Sequence, residues 1–516
     1  MHGSRRGRRA FRPAPVRCRV VAFFLVSASL LAPSTLSAQR RAPGSDVGRW
    51  RGPVTPLPTD HWAYDALDRL AAAGWLEAGR VDGARPLPVA AVGAALEAAA
   101  RAVLGEAFRD GSAGGSGGRA RTATGAFAIE AWTRFRREFP SVDGPVTSTW
   151  LGYEERRDGD EPWRGTVLEA RIHWMPVASV GMNYEPELRF AAEGGVAVDH
   201  GRFGVATRVG GLWLFAGRER LAFATGAGGG VTLSDAVALD GIGVGLAEPL
   251  VLPVLGPVHG IVYLSRMGGD AFGDAVGFGA MRVSLEPVPW LQLHLNRTLL
   301  FARRNRGMEM SARDLLLMLV GKHTAFEDQR ASVGVLVTAD VAGWPVQPYL
   351  EWGFEDTAGL DEDPGIVAGV FLPSIPFAPA MSLRYEYTAF GEHALFLPGA
   401  DFQPRAWYRH TSGIRERYVD DAGTPIGHPL GGYGYEHRVQ AGGWARDARL
   451  RVTVSAFHRL RKEGNILYEE RPGTSLGAAA GLELALPAAG MLTVDFETEH
   501  GAAGWASRNV RVGVRW

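Results

Sequence analysis

The chain has 516 residues, with 55 basic and 55 acidic side chains and 46% hydrophobic residues. That length suits one large closed sheet plus a small additional unit, and the lack of basic excess argues against a nucleic-acid partner. Cys18 is the one cysteine, and it sits in the export segment described next, so the mature chain is expected to hold no disulfide, cysteine-ligated metal or cysteine nucleophile.

Residues 1–38 read as a signal peptide. Arg5, Arg6, Arg8, Arg9, Arg12, Arg17 and Arg19 make a basic start. Residues 20–32 are apolar but too short to cross a bilayer as a helix, and Leu36-Ser37-Ala38 offers small residues for cleavage near Ala38. Residues 39–58 are expected to form a disordered leader. A helical region, periplasmic or plugging, is expected over 59–140. Thr59 or Asp60 is placed to cap a helix bearing Trp62, Ala66, Leu67 and Leu70, and Gly74 to stop it. Pro86 and Pro88 precede a second helix over 89–104. The Gly- and Ser-rich run 111–118 has the composition of a flexible linker. A third helix is expected over about 126–139, ending at Pro140.

From about residue 142 to 516 the hydrophobic period changes from 3.6 to 2. Val180, Met182, Tyr184, Pro186, Leu188 and Phe190 share one face of a strand, opposite Gly181, Asn183, Glu185, Glu187 and Arg189. Similar alternation recurs around Leu168–Trp174, Leu291–Asn296, Val333–Asp340, Met381–Thr388 and Leu492–Glu497. Strands of about 9 to 11 residues suit a tilted membrane-spanning barrel, whose polar face lines the lumen. A soluble sandwich alternates too. The stretch Val510, Val512, Val514 and Trp516, alternating with Arg511, Gly513 and Arg515, favours the barrel, because a final amphipathic strand with an aromatic end is what barrel-insertion machinery reads. The fold expected is all-β with a small α part: an antiparallel transmembrane barrel of about 18 strands, embedded in outer-membrane lipid, with an N-terminal helical plug. One interruption stands out. Residues 311–320 read as a short helix between two strands, with Ser311 as its cap.

Enzyme motifs are sparse. There is no metalloprotease HExxH, no phosphate-binding loop and no nucleophile elbow. The glycine-rich run 226–230 leads into a strand pattern, not a helix, and reads as a turn. His173 and His294 lie on polar strand faces. They fit lumenal hydrogen-bonded networks better than metal or base roles, and the charge sets Glu169/Arg171, Glu185/Glu187/Arg189 and Arg384/Glu386 fit lumen-closing pairs. The densest functional candidate is 407–432. It holds Trp407, Tyr408, Arg409, His410, Arg415, Arg417, Tyr418 and His428 amid glycine and proline. Aromatic faces stack on sugar rings while Arg and His donate to hydroxyls and acids, so Trp407, Tyr408, Arg409, His410, Arg415, Arg417 and His428 are the expected polysaccharide-binding residues. The alternative is that Trp407 and Tyr408 belong to an interfacial aromatic girdle.

Tyr408-Arg409-His410 followed by Pro425-Ile426-Gly427-His428-Pro429-Leu430-Gly431 resembles the late signature of the capsule-assembly Wzi family. Asn296-Arg297-Thr298, Asp314-Leu315-Leu316 and Arg384-Tyr385-Glu386-Tyr387-Thr388 resemble further pieces of that family in the same order. The resemblance implies an 18-stranded outer-membrane barrel with a periplasmic helical bundle. It implies a role in attaching capsular polysaccharide or exopolysaccharide to the cell surface. The leading expectation is a non-catalytic surface lectin, with no cofactor and no metal. A separate stretch, Asp60-His61-Trp62-Ala63-Tyr64-Asp65-Ala66-Leu67 through Gly74-Trp75-Leu76 and Arg85-Pro86-Leu87, resembles a single S-layer homology repeat over 60–104. It implies contact with peptidoglycan or another wall polymer, with a plug beneath the barrel as the alternative. A porin-like carbohydrate channel and an outer-membrane hydrolase are the competing functions.

Overall fold

The computed structural model describes residues 52–76, 84–107, 116–139, 146–158, 163–177, 179–269, 275–302, 304–305, 308–319, 326–355, 364–375, 377–391, 407–409, 417–420, 423–445, 449–486 and 490–516. The expected signal peptide and its cleavage site at Ala38 lie outside them, as do His410 and Arg415.

Eighteen antiparallel strands close into a barrel. The first nine are β1 (Val146–Asp158), β2 (Trp163–Val177), β3 (Val180–Ala191), β4 (Val196–Val209), β5 (Leu212–Arg220), β6 (Ala238–Leu246, continued by Leu250–Leu252), β7 (Gly256–Gly269), β8 (Ala275–Val288) and β9 (Leu291–Ala302). The rest are β10 (Glu327–Val337, continued by Ala339–Val341), β11 (Trp344–Glu355), β12 (Gly365–Leu372), β13 (Met381–Phe390), β14 (Gly434–Ala445), β15 (Leu450–Arg461), β16 (Gly473–Ala485), β17 (Met491–Gly501) and β18 (Ala506–Arg515). β18 pairs with β1 to close the ring, with Trp150 opposite Arg515. The bond from Thr149 N to Trp516 O, 2.9 Å, extends that seam.

The alternation decides which face meets lipid. On β1, Leu151 and Tyr153 are 44% and 42% exposed, whereas Trp150 and Glu154 are 2% and 3%. On β3, Met182, Tyr184 and Phe190 are exposed while Asn183 and Glu185 are buried. Polar side chains therefore fill the inside and apolar ones cover the outside, the reverse of a soluble sandwich. Pro186 has no N–H to give the ladder, and the β3–β4 register shifts there, between Glu185 and Glu187.

The two rims differ. One carries short turns such as 210–211, 289–290 and 342–343, together with both ends of the barrel chain; the other carries the long connections 221–237, 303–326, 391–433 and 462–472. The helical unit packs at the short-turn rim. It contains α1 (Trp62–Ala72), α2 (Val89–Ala107) and α3 (Ser116–Glu138). Leu57, Trp62, Leu67, Leu70, Val92, Leu96, Phe127, Phe135 and Phe139 form its shared core. α4 (Ala312–Leu319) stands in the 303–326 connection. There Ser311 N donates to Asp314 Oδ2 at 2.9 Å and Asp314 N to Ser311 Oγ at 3.2 Å, a reciprocal cap.

Several expectations change. The cap of α1 is His61, not Thr59 or Asp60, because its Nδ1 reaches Ala63 N at 3.2 Å. α3 begins at Ser116, so 116–118 of the expected linker are helical. Residues 52–58 of the expected leader are packed, not disordered: Leu57 and Thr55 are fully buried. Trp213 Nε1 donates to Val54 O at 2.9 Å, and Thr55 Oγ1 meets His173 Nδ1 at 3.0 Å. This stretch seals against the inner wall of β2–β5, where its carbonyls find donors that a free leader would leave to water.

Candidate functional site

The 221–237 connection does not stay at the rim. It turns into the lumen, and its Ala222–Phe223 pairs antiparallel with Ala84–Arg85 of the helical unit. The glycine-rich run read as a simple turn is the part that reaches the wall. Ala227 N and Gly228 N donate to the two carboxylate oxygens of Glu386 on β13 at 2.9 and 2.8 Å, and Tyr349 Oη on β11 donates to the same carboxylate at 2.7 Å. A β-carbon on Gly226 or Gly228 would overlap that carboxylate, so glycine is required for so close an approach. Further along, Val231 N donates to Glu351 Oε1 at 3.3 Å, an oxygen that also accepts from Ser332 Oγ at 2.6 Å. His294 Nε2 meets Thr225 Oγ1 at 2.9 Å.

The described residues of the 407–432 segment cover this loop from the long-loop side. Tyr408 Oη donates to Val231 O, and Tyr418 Oη donates to Thr232 O at 3.0 Å. Ser234 Oγ donates to Gly427 O at 2.6 Å. Tyr408 N is held by Glu355 Oε1 at 3.0 Å, and Arg330 pairs with that carboxylate at 2.7 Å while lying 4.1 Å over the Tyr418 ring. Tyr408 has φ 68°, a left-handed conformation that a bulky side chain adopts only when its surroundings dictate it. Its ring stacks on Tyr418 and its hydroxyl accepts from His428 N at 2.9 Å. Burial pushes the Tyr408 and Tyr418 hydroxyls well above their usual range, so both remain donors. Burial pushes His428 down to about 3. Leu430 N donates to His428 Nδ1 at 3.1 Å, which leaves the proton on Nε2, facing Thr388 Oγ1 at 3.4 Å.

The sequence-derived site residues thus divide. Trp407, Tyr408 and His428 are 1%, 0% and 0% exposed and form the underside of the loop. Trp407 packs on Phe390 at 5.3 Å, and none of the three turns a ring face outward. Arg409 is exposed and Arg417 half-buried. They face each other across an isolated antiparallel bridge, with Glu469 3.7 Å from Arg417. Trp407 and Tyr408 do not belong to an interfacial aromatic girdle, since both are buried against inward-facing residues such as Glu355 and Phe390.

Sequence reasoning passed over Glu351 and Glu355 beneath the loops and read Glu386 only as half of a lumen-closing pair with Arg384. Glu351, Glu355 and Glu386 are the anchors, and one signal was available: all three sit on inward strand positions near the long-loop rim, facing runs of glycine and aromatic residues. A second network fills the adjoining wall, β14–β17. Arg459 pairs with Glu436 and, at 2.9 Å, with Glu499, which also accepts from Arg461 at 2.9 Å and Ser475 Oγ at 2.6 Å. Among the described residues, no group of three His, Cys, Asp or Glu is arranged to hold a metal ion.

No curated protein matches the sequence. Among solved structures, the chain is similar to Wzi of Escherichia coli, described as an outer membrane protein involved in group 1 capsule assembly and a carbohydrate-binding β-barrel. The TM-score is 0.65 at 14% identity, covering 89% of this chain and 99% of that one. Two Pseudomonas aeruginosa proteins, OccK5 and OccK3, align with TM-scores of 0.44 and 0.43 at 8% and 10% identity, over 72% and 73% of this chain and 97% and 96% of theirs. The family model for capsule assembly protein Wzi matches residues 172–499. Because that match runs from within β2 to within β17, across both in-folded loops, the chain belongs to the capsule assembly protein Wzi family.

Proposed function

We propose that this protein is a non-catalytic outer-membrane receptor that attaches capsular polysaccharide or exopolysaccharide to the cell surface, with the long-loop rim outside the cell and the helical unit in the periplasm. The observation that carries the reading is the locked base of the 407–432 loop. Trp407, Tyr408, Tyr418 and His428 are fixed from beneath, and the same segment lifts Arg409 and Arg417 to the rim. Two arginines set opposite each other across a backbone bridge suit an acidic or richly hydroxylated polymer. The polysaccharide-binding set is then Arg409, His410, Arg415 and Arg417, with Trp407, Tyr408 and His428 as positioning residues. Within the described residues the lumen is crossed by two loops and floored by helices, so a porin-like channel has no supporting observation. The 60–104 stretch acts as that floor: His61 and Trp62 both bond Glu138 at 2.9 Å instead of facing a wall polymer.

The test is retention of polysaccharide by cells carrying Arg409→Ser with Arg417→Ser. Released polysaccharide with unchanged barrel abundance and unchanged heat-modifiable gel mobility is expected. Retention at the wild-type level would place the site elsewhere. Large, stable conductance steps from the wild-type protein in planar bilayers would favour the channel.

A further inference from the structure

Below the in-folded loop the lumen holds a cavity of about 390 Å³, within the size range of small-ligand sites. Its floor is α1, with Asp68 and Arg69. Its roof is the 224–229 stretch, and its wall is the inner face of β8–β15, including Gln347, Arg384 and Gln440. Neither Arg409 nor Arg417, the described residues proposed for the long-loop rim, lines it.

Two arginines at this cavity have donors left over. Arg69 is 3% exposed; its terminal nitrogens donate to Ala380 O and Pro379 O at 3.0 and 2.6 Å, and its Nε has no partner among the described residues. The Nε of Arg384 has none either. Asp68 stands 3.9 Å from Arg384, but its Oδ2 is taken by Arg85 at 3.2 Å. Arg384 lies 4.4 Å over the Phe371 ring, which fixes the guanidinium plane and leaves its edge for an acceptor. Buried donors without acceptors call for an explanation, and a planar fork matches a carboxylate best. Yet acidic and basic side chains nearly balance around the lining, and amide and hydroxyl groups are spread among them. That pattern suits a molecule with one acid group and many hydroxyls more than a bare anion.

We propose that this chamber is a second saccharide site, on the short-turn side of the in-folded loop, taking a short uronate-bearing oligosaccharide. The carboxylate is held by Arg384 and Arg69. The hydroxyls are held by Gln440, Gln347 and the backbone of 224–229. The assignment rests on the reading of the protein as a polysaccharide receptor, but it concerns chain segments presented from the opposite side of the barrel.

Isothermal titration of the full mature protein in detergent tests it, with trigalacturonate, maltotriose and inorganic phosphate as probes. Trigalacturonate is expected to bind, maltotriose at least tenfold more weakly, and phosphate not to compete at equal concentration. Arg384→Gln, and separately Ser382→Trp, which fills the chamber, should each weaken trigalacturonate at least tenfold while the protein stays heat-modifiable. No binding to wild type, equal binding by Ser382→Trp, or displacement by equal phosphate would overturn the proposal. The Arg409→Ser, Arg417→Ser protein separates the two readings. If it releases cell-surface polysaccharide and wild type ignores trigalacturonate, the chamber proposal falls alone. If it retains polysaccharide while trigalacturonate binding depends on Arg384, the rim reading falls alone.

Discussion

The floor and the roof of the lumen are built on different physics. The floor is a small helical core. Trp62, Leu67, Phe127, Phe135 and Phe139 bury one another, Trp444 of β14 joins them, and polar ties such as Arg134 to Glu483 at 2.7 Å sit at the margin. The roof has a glycine-rich loop at its centre. It is held by backbone N–H groups aimed at wall carboxylates, and by tyrosine hydroxyls aimed at its carbonyls. Apolar burial is non-directional and tolerates change at the edges. A roof of directed hydrogen bonds is stiff while every partner is present, and losing one acceptor leaves several buried donors unmet.

Glu386→Ala should produce the largest effect. It strands two backbone donors and the Tyr349 hydroxyl, a loss on the order of 3–5 kcal/mol for a group accepting several bonds. The roof should loosen while the barrel persists. Conductance steps in planar bilayers, absent from wild type, are the expected readout, together with unchanged heat-modifiable mobility. A closed, silent Glu386→Ala barrel would mean that the roof does not depend on its acid anchors. The floor offers the counterpart. Phe135 is fully buried, and Phe135→Ala should cost about 3–5 kcal/mol. Here limited proteolysis should release the helical unit while the roof amides stay protected from exchange. Simultaneous loosening of both would show that floor and roof form one cooperative unit.

The contrast also explains what the sequence made legible. The barrel was readable because period-2 alternation reports directly which residues meet lipid, and Met182, Tyr184 and Phe190 fall where that pattern puts them. The floor helices were readable in existence, but the starts of α1 and α3 were not. His61 acts as a cap although it is not a usual capping residue, and glycine at 117 and 118 masks the first turn of α3. The roof was not readable. Gly226–Gly230 looks like any turn until Glu386, far along the chain, is known to face it, and such a pairing leaves no local period. For the same reason Trp407, Tyr408 and His428 could be recognised as a cluster but not assigned inward or outward. Aromatic and cationic residues serve equally to stack on a sugar and to brace a buried loop.

Acid separates floor from roof most finely. Burial holds His428 at about 3 against an ordinary 6.5, so the folded roof keeps the ring neutral. A depressed histidine binds fewer protons folded than unfolded between those values, and stability must therefore fall as pH drops. Its contribution is complete above 6.5 and is lost progressively toward 3. On the floor, burial works to raise the Glu138 carboxyl. Hydrogen bonding and charge from His61, with help from Arg134 and Trp62, outweigh it and hold the group at about 2 against 4.5. That contribution is complete above 4.5 and is lost between 4.5 and 2. Moving from pH 7 to pH 5 should therefore weaken the roof and spare the His61–Glu138 contact that holds α1 in the floor. Hydrogen exchange of the Val231 and Ser234 amides, corrected for intrinsic rates, should speed up over that interval while α1 amides hold steady. His428→Gln, which cannot take up the proton, should abolish the change at the roof. Equal loosening of floor and roof at pH 5, or a response that survives His428→Gln, would show that the histidine does not set the pH dependence of the closure.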